Sequence, residues 1–139
     1  MQYAREMNVY RKRRQQYKPS LSRAESPRVS KRQRAAVGAI CRKNIMPEAD
    51  VLRYGLEAVI LGVSHGNLAL QYLKPNETYE EMVSIRLSRD IRPLVDALGM
   101  ERRHLAKRND VLRACLDTMI INAKKSGFAW LVALREKFI

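Results

Sequence analysis

Cysteine and histidine are scarce in this chain, two of each in 139 residues, and that scarcity removes several kinds of chemistry at once. Cys41 and Cys115 lie far apart, each inside an apolar helical pattern, which favours buried thiols in a reducing compartment over a disulfide framework. Neither His65 nor His104 has a cysteine or histidine neighbour at metal-ligand spacing, so both read as loop or surface residues. A glycine-rich phosphate loop is missing, and acidic pairs such as Glu80 with Glu81 have no nucleophile or metal constellation beside them. Catalysis is therefore not expected, and no catalytic residue, metal ligand or cofactor is assigned. Long apolar runs are missing too. The longest, around Leu56 to Val63, is too short to span a bilayer, and residues 1–20 lack the apolar core of a signal peptide. A cytoplasmic protein associated with the nucleoid or a plasmid is expected, without a membrane partner.

Acidic residues are depleted in one part of the chain only. Residues 1–45 hold 13 Lys and Arg against Glu6 and Glu25, whereas the remainder sets 14 basic against 12 acidic residues. The formal charge of +13 calls for an acidic partner, and its position describes a basic arm ahead of a nearly balanced body. Within the arm, Arg11, Lys12, Arg13 and Arg14 stand between Tyr10 and Tyr17, a pattern that can follow duplex phosphates or enter a minor groove. The same interleaving suits single-stranded nucleic acid or RNA, and a solvated solubilising tail is the plain alternative.

What the chain does contain is a repeat. Laid over each other at an offset of 58, RVSKRQRAAVGAI from Arg28 and RLSRDIRPLVDAL from Arg86 share Arg28/Arg86, Ser30/Ser88, Arg34/Arg92, Val37/Val95 and Ala39/Ala97. At an offset of 60, DVLRYGLEAVI from Asp50 matches DVLRACLDTMI from Asp110 at Asp, Val, Leu, Arg, Leu and Ile. A glycine follows each, Gly66 or Gly127, and then a short apolar pattern, NLALQYL or FAWLVAL. Ordered matches over about 45 residues point to duplication, and neither half is large enough to bury its own apolar surface.

The second copy is the easier to read. In MVSIRLS, Met82 to Ser88, Val83, Ile85 and Leu87 alternate with Ser84 and Arg86, which predicts a half-buried strand. Ser88 then reads as the N-cap of a helix from about Arg89 to Leu98, with Ile91, Leu94, Val95 and Leu98 as its apolar stripe and Gly99 as its end. Pro93 is awkward, because it shifts where a helix can start. A second helix is predicted from about Asn109 to Ala123, burying Val111, Leu112, Cys115, Leu116 and Met119. Phe128, Trp130, Leu131 and Leu134 form a further apolar face, for core packing or, as the lesser reading, for a protein partner.

A short strand, a helix of about ten residues, a turn and a longer helix resemble the ribbon-helix-helix family of Arc, MetJ and CopG repressors, best over Glu81 to Lys124. The resemblance implies a mainly α fold with a short two-stranded antiparallel β-ribbon, built as a tandem pseudo-dimer similar to relaxosome accessory proteins of conjugative plasmids. The implied organisation is a basic arm over residues 1–24, a first repeat over 25–74, and a second repeat with a C-terminal helix over 75–139. The first strand departs from the family pattern, since Glu25 and Pro27 stand where Val83 and Ile85 do, and Pro27 lacks a backbone donor, so irregular pairing is expected there.

Family resemblance also places the base-contacting groups, which are Ser26 and Arg28 in the first repeat and Ser84 and Arg86 in the second. A ribbon fits the major groove, and arginine can bind guanine bidentately. The start of the second helix clamps a phosphate in this family, which implicates Lys107, Arg108 and Asn109. Pro47, Glu48 and Ala49 hold that place in the first repeat, so unequal half-sites are expected. Lys31, Arg89 and the arm residues complete the expected phosphate contacts. The implied function is double-stranded DNA binding, as a transcriptional repressor or as an accessory factor at a plasmid-transfer origin, with a relaxase or ParA-like protein as candidate partner. A non-specific nucleoid-packing or RNA-associated role is the alternative, and further association of the pseudo-dimeric monomer on DNA is left open.

Overall fold

A computed structural model of the chain describes residues 20–73, 76–105 and 107–139. In chain order the elements are β1 (Arg28–Val29), α1 (Lys31–Asn44), α2 (Glu48–Ser64), β2 (Glu81–Met82), α3 (Arg92–Glu101), a 3₁₀ turn (Arg103–Leu105), α4 (Arg108–Ser126) and α5 (Phe128–Glu136). The chain is thus mainly helical, with one two-stranded antiparallel sheet among the described residues.

The strands pair in a single register, with Arg28 opposite Met82, Val29 opposite Glu81 and, as an isolated bridge, Glu25 opposite Ile85. That register puts Ser26 opposite Ser84. The regular ladder is shorter than the MVSIRLS pattern predicts, and Pro27 is the reason. Glu25 and Ile85 exchange both backbone bonds at 2.8 Å, but two residues on, Val83 N–H donates to the Pro27 carbonyl at 3.3 Å and Pro27 has no N–H to return. Upstream, Leu21 bridges Ser88 and Ser22 N–H donates to the Leu87 carbonyl at 2.7 Å, so the first strand carries one extra residue, a bulge, between Leu21 and Glu25. Among the described residues, backbone pairing extends to Ser20, whose carbonyl accepts Arg89 N–H at 3.0 Å.

Helix starts differ between the copies. Ser30 caps α1 through a complete capping box, its Oγ accepting Gln33 N–H while the Gln33 side chain accepts Ser30 N–H, both at 3.0 Å. Ser88, its repeat counterpart, is not an N-cap. Residues 89–91 form a turn, α3 begins at Arg92 with Ile91 at the cap position, and Pro93 takes the first helical turn, where its missing N–H costs nothing. Gly99 does not end this helix either. It lies inside α3, which continues to Glu101, and a Cβ there would stand 3.1 Å from Val111 Cγ2, so its smallness serves the packing of α3 on α4.

The Ser88 groups bond instead to Glu57 in the middle of α2. Glu57 Oε2 accepts Ser88 N–H at 2.7 Å and Ser88 Oγ–H at 2.8 Å, while Oε1 accepts Arg135 Nε–H at 2.8 Å. The equivalent position in α4 is Asp117, whose Oδ1 accepts from Gln33 Nε2 at 3.1 Å and Arg32 Nη2 at 3.0 Å at the start of α1. Each long helix thus sends a buried acid to the other copy, Asp117 to the first turn of α1 and Glu57 to Ser88 in the segment that leads into α3. Glu57 and Asp117 are 0% and 1% exposed, so these bonds compensate the desolvation of both carboxylates.

A single core joins the two copies. α2 and α4 pack on each other, α1 contacts both, α3 contacts both, and α5 lies across α2 and α4. Val83, Ile85 and Leu87 from the ribbon are buried in the same cluster as Leu52, Leu56 and Ile60 of α2 and Leu112, Leu116 and Met119 of α4. The link between copies adds Leu68, Leu70 and Tyr72, and Gln71 N–H donates to Thr118 Oγ1 at 2.8 Å. Gly127, at φ +92°, allows the break between α4 and α5. In α5, Phe128, Leu131 and Leu134 are core residues as expected, whereas Trp130 is 41% exposed. No helix among the described residues is long and apolar enough to cross a membrane.

Cys115 is fully buried and its thiol is pushed up to about 12 by burial, while Cys41 is half-buried with a smaller rise from burial and nearby Glu48. A disulfide reagent at mildly alkaline pH should therefore modify Cys41 first and Cys115 only as the chain unfolds. Equal rates for the two thiols in the folded protein would contradict the packing of α4.

Candidate nucleic-acid interface

Alternation along the paired backbone sorts the ribbon into two faces. Pro27, Val29, Val83, Ile85 and Leu87 point into the core, and Ala24, Ser26, Arg28, Met82, Ser84 and Arg86 are exposed on the opposite face. The four residues expected to contact bases therefore share one outer surface. Ser26 and Ser84 face each other at its centre, and Arg28 and Arg86 lie on either side of that pair, Arg28 across from Met82 and Arg86 beside the bulged part of the first strand. The Arg86 side chain donates from Nε to the Ser22 carbonyl at 3.3 Å, which steers it along the first strand. Arg28 is held through its backbone, because its carbonyl accepts Arg113 Nη1–H of α4 at 3.1 Å, and the Arg113 guanidinium rests 4.2 Å over the Tyr79 ring. Met82, half exposed beside Arg28 on this face, was not among the expected contacts.

The N-terminus of a long helix flanks the ribbon at each end, and the charges there are reversed. At one end Arg108, the first residue of α4, is bound by both Glu25 of the first strand and Asp96 of α3. At the other, Arg34 of α1 reaches Glu48 at the start of α2, at 3.6 Å, and Glu81 of β2, at 3.3 Å. Arg108 is accordingly occupied by two carboxylates, while Lys107 and Asn109 beside it are exposed. Lys31 and Arg89 are exposed at the starts of the first helical segments of their copies. Arg11, Lys12, Arg13 and Arg14 lie outside the described residues.

Two further basic groups join Arg89 that the sequence did not single out. Arg23, Arg89 and Arg92 line an open cleft of about 460 Å³ with Ser22, Pro93 and Asp96. Arg92 had a visible signal, as the counterpart of Arg34 in the repeat, but only the bulge in the first strand brings Arg23 to it. A different ion pair, Arg32 with Glu77 at 2.5 Å, holds the Glu77 carboxyl below its ordinary range and ties the link to α1. No protein-family model matches the chain, and neither a curated protein nor a solved structure matches it.

Proposed function

We propose that this protein binds double-stranded DNA site-specifically by laying its β-ribbon in the major groove, as a single-chain pseudo-dimer of ribbon-helix-helix type. The observation that carries this reading is the shared outer face of Ser26, Arg28, Ser84 and Arg86, on backbone whose other face is anchored in the core. A two-stranded ribbon fits the width of the major groove, and a rigidly backed ribbon presents its side chains with little entropy left to lose. The repeat supports the pseudo-dimer. The offset of 58 between the two ribbon segments is also the separation of the central Ser26 and Ser84, as a twofold between the copies would require. The exchange of buried acids, Glu57 and Asp117, is in keeping with such a symmetry.

In this reading Arg28 and Arg86 read guanine through its O6 and N7 acceptors, the two serines adapt to either donor or acceptor, and Met82 offers an apolar contact for a thymine methyl. The half-sites are unequal, because Met82 lies opposite Arg28 whereas the bulged part of the first strand runs beside Arg86. The net charge supplies the sequence-independent part of the affinity.

The test begins with duplexes selected from a random pool. Arg86→Ala should reduce the preference for the selected site over a scrambled one by about 5- to 150-fold, the worth of one good bidentate pair, while weak salt-sensitive binding persists. Arg28→Ala should relax a different base position by a similar factor. Unchanged discrimination in both variants would overturn the base-reading role of the ribbon.

A further inference from the structure

Among the described residues, the cleft beside Arg86 has no carboxylate free to pair with its charge. Arg23 comes from the bulged part of the first strand, Arg89 from the turn after the second strand, and Arg92 from the first residue of α3. Gathering three guanidinium groups around one opening is unfavourable unless an anion joins them. Among the described residues none of the three has an ion-pair partner, and the one carboxylate in the lining, Asp96, is already bound to Arg108.

The opposite end of the ribbon provides the comparison. There the repeat counterparts of Arg89 and Arg92 are Lys31 and Arg34, and Arg34 is taken up by Glu48 and Glu81. Among the described residues, the same fold position is closed by carboxylates at one end and left cationic at the other. Burial does not account for the difference, since Arg23 and Arg89 are exposed and Arg92 is half-buried.

We propose that this cleft is a phosphate-binding site, and that the phosphate it holds is one in a DNA backbone running beside the ribbon. This second step rests on the duplex-binding reading. Ser22 is the link: its carbonyl accepts from Arg86, and the same residue lines the cleft, so a phosphate there flanks the base pairs that Arg86 faces. An open, arginine-lined cleft suits a phosphate on a rigid polymer, which needs to be gripped on one side only; small-molecule sites are enclosed and mostly apolar. The site then fixes the register of the ribbon at one half-site, a task that Arg108 does not perform while Glu25 and Asp96 hold it.

Two measurements test this on the full-length protein. Titration with inorganic pyrophosphate, followed through the arginine Nε–H resonances, should move Arg23, Arg89 and Arg92 before Arg28 and Arg34. Separately, Arg23→Gln with Arg92→Gln should lower affinity for a mixed-sequence duplex at least tenfold and flatten its logarithmic salt dependence by about 1, the contribution of one phosphate that is no longer neutralised. Lys124→Gln with Lys125→Gln removes the same charge at the far end of α4 and should change the slope by less than half as much. A shift of the three arginines with no duplex binding by the wild type supports the phosphate site and places the failure in the duplex reading. Pyrophosphate shifts elsewhere first, or a slope change equal to that of the lysine control, would overturn the proposal.

Discussion

Replacing Glu57 by alanine should cost about 3–5 kcal/mol of stability, the loss expected when one member of a buried ion pair is removed. Glu57 is fully buried and divides its oxygens, Oε1 to Arg135 and Oε2 to the amide and hydroxyl of Ser88. Alanine would strand a guanidinium whose side chain is 4% exposed, together with the Ser88 amide that Glu57 now accepts. The Tyr54 ring, 4.5 Å beneath Arg135, offsets about 0.5–2 kcal/mol of that charge burial and cannot replace a carboxylate. Asp117 is an internal comparison. It is buried to the same degree, yet its partner Arg32 is 40% exposed in its side chain and keeps Glu77, so Asp117→Ala should cost only about 1–2 kcal/mol, mostly through Gln33. Urea unfolding of both variants decides the matter. Equal costs, or a larger one for Asp117, would mean that the Glu57 carboxylate does not carry the link between α2, α5 and the second ribbon strand. Glu57→Leu combined with Arg135→Met removes both charges and should recover stability until about 1–3 kcal/mol remains, the cost of leaving the Ser88 groups unbonded.

The same contact marks where sequence reasoning stops. Val83, Ile85 and Leu87 announce their burial by alternation, because period two is a local property of a strand with one face covered. Pro27 announces an irregular ladder for an equally local reason, the missing N–H, and the ladder fails at the bond it should have supplied. Ser88 misled because Ser30, its repeat partner, is a true N-cap and a serine before a helical pattern usually is one. What overrides it is Glu57, 31 residues away, together with Pro93, which moves the helix start to Arg92. In an amphipathic pattern a lone Glu inside LEAVIL reads as a blemish. Its meaning lies in the match with Asp117, an acid at the same place in both copies.

The candidate interface divides in the same way. Ser26, Arg28, Ser84 and Arg86 share a face because strand geometry alone puts alternate residues there once the register is set. Arg108 was expected to be available for a phosphate on the strength of its position at a helix start. It is occupied because Glu25 and Asp96 converge on it from two other elements, a convergence that no spacing in the sequence encodes. Arg23 escaped notice for the converse reason, since its place in the cleft depends on one extra residue in the first strand.

Deleting residues 1–19 should weaken duplex binding for every sequence alike and leave the preference for a selected site nearly intact. The segment carries six Lys and Arg against one Glu, so its removal should make the logarithmic salt dependence shallower by about 3–5 and lower affinity more than tenfold at low salt. Where the cut falls matters. Ser20 accepts the Arg89 amide and Ser22 donates to Leu87, so a deletion reaching residue 24 would strip one edge from the ribbon and confuse a binding effect with a folding one. With the cut at residue 19 the ribbon, its buried face and the arginine cleft all remain. If base edges are read by the ribbon, the ratio of selected to scrambled affinity should stay within about threefold of the full-length value, because phosphate contacts add to both affinities equally. If the protein instead coats nucleic acid through its arm, the truncated chain should lose nearly all affinity and have no ratio to preserve. Circular dichroism and a melting curve on the truncated chain separate that result from unfolding. A folded, truncated protein without selective duplex binding would refute the ribbon as the recognition element.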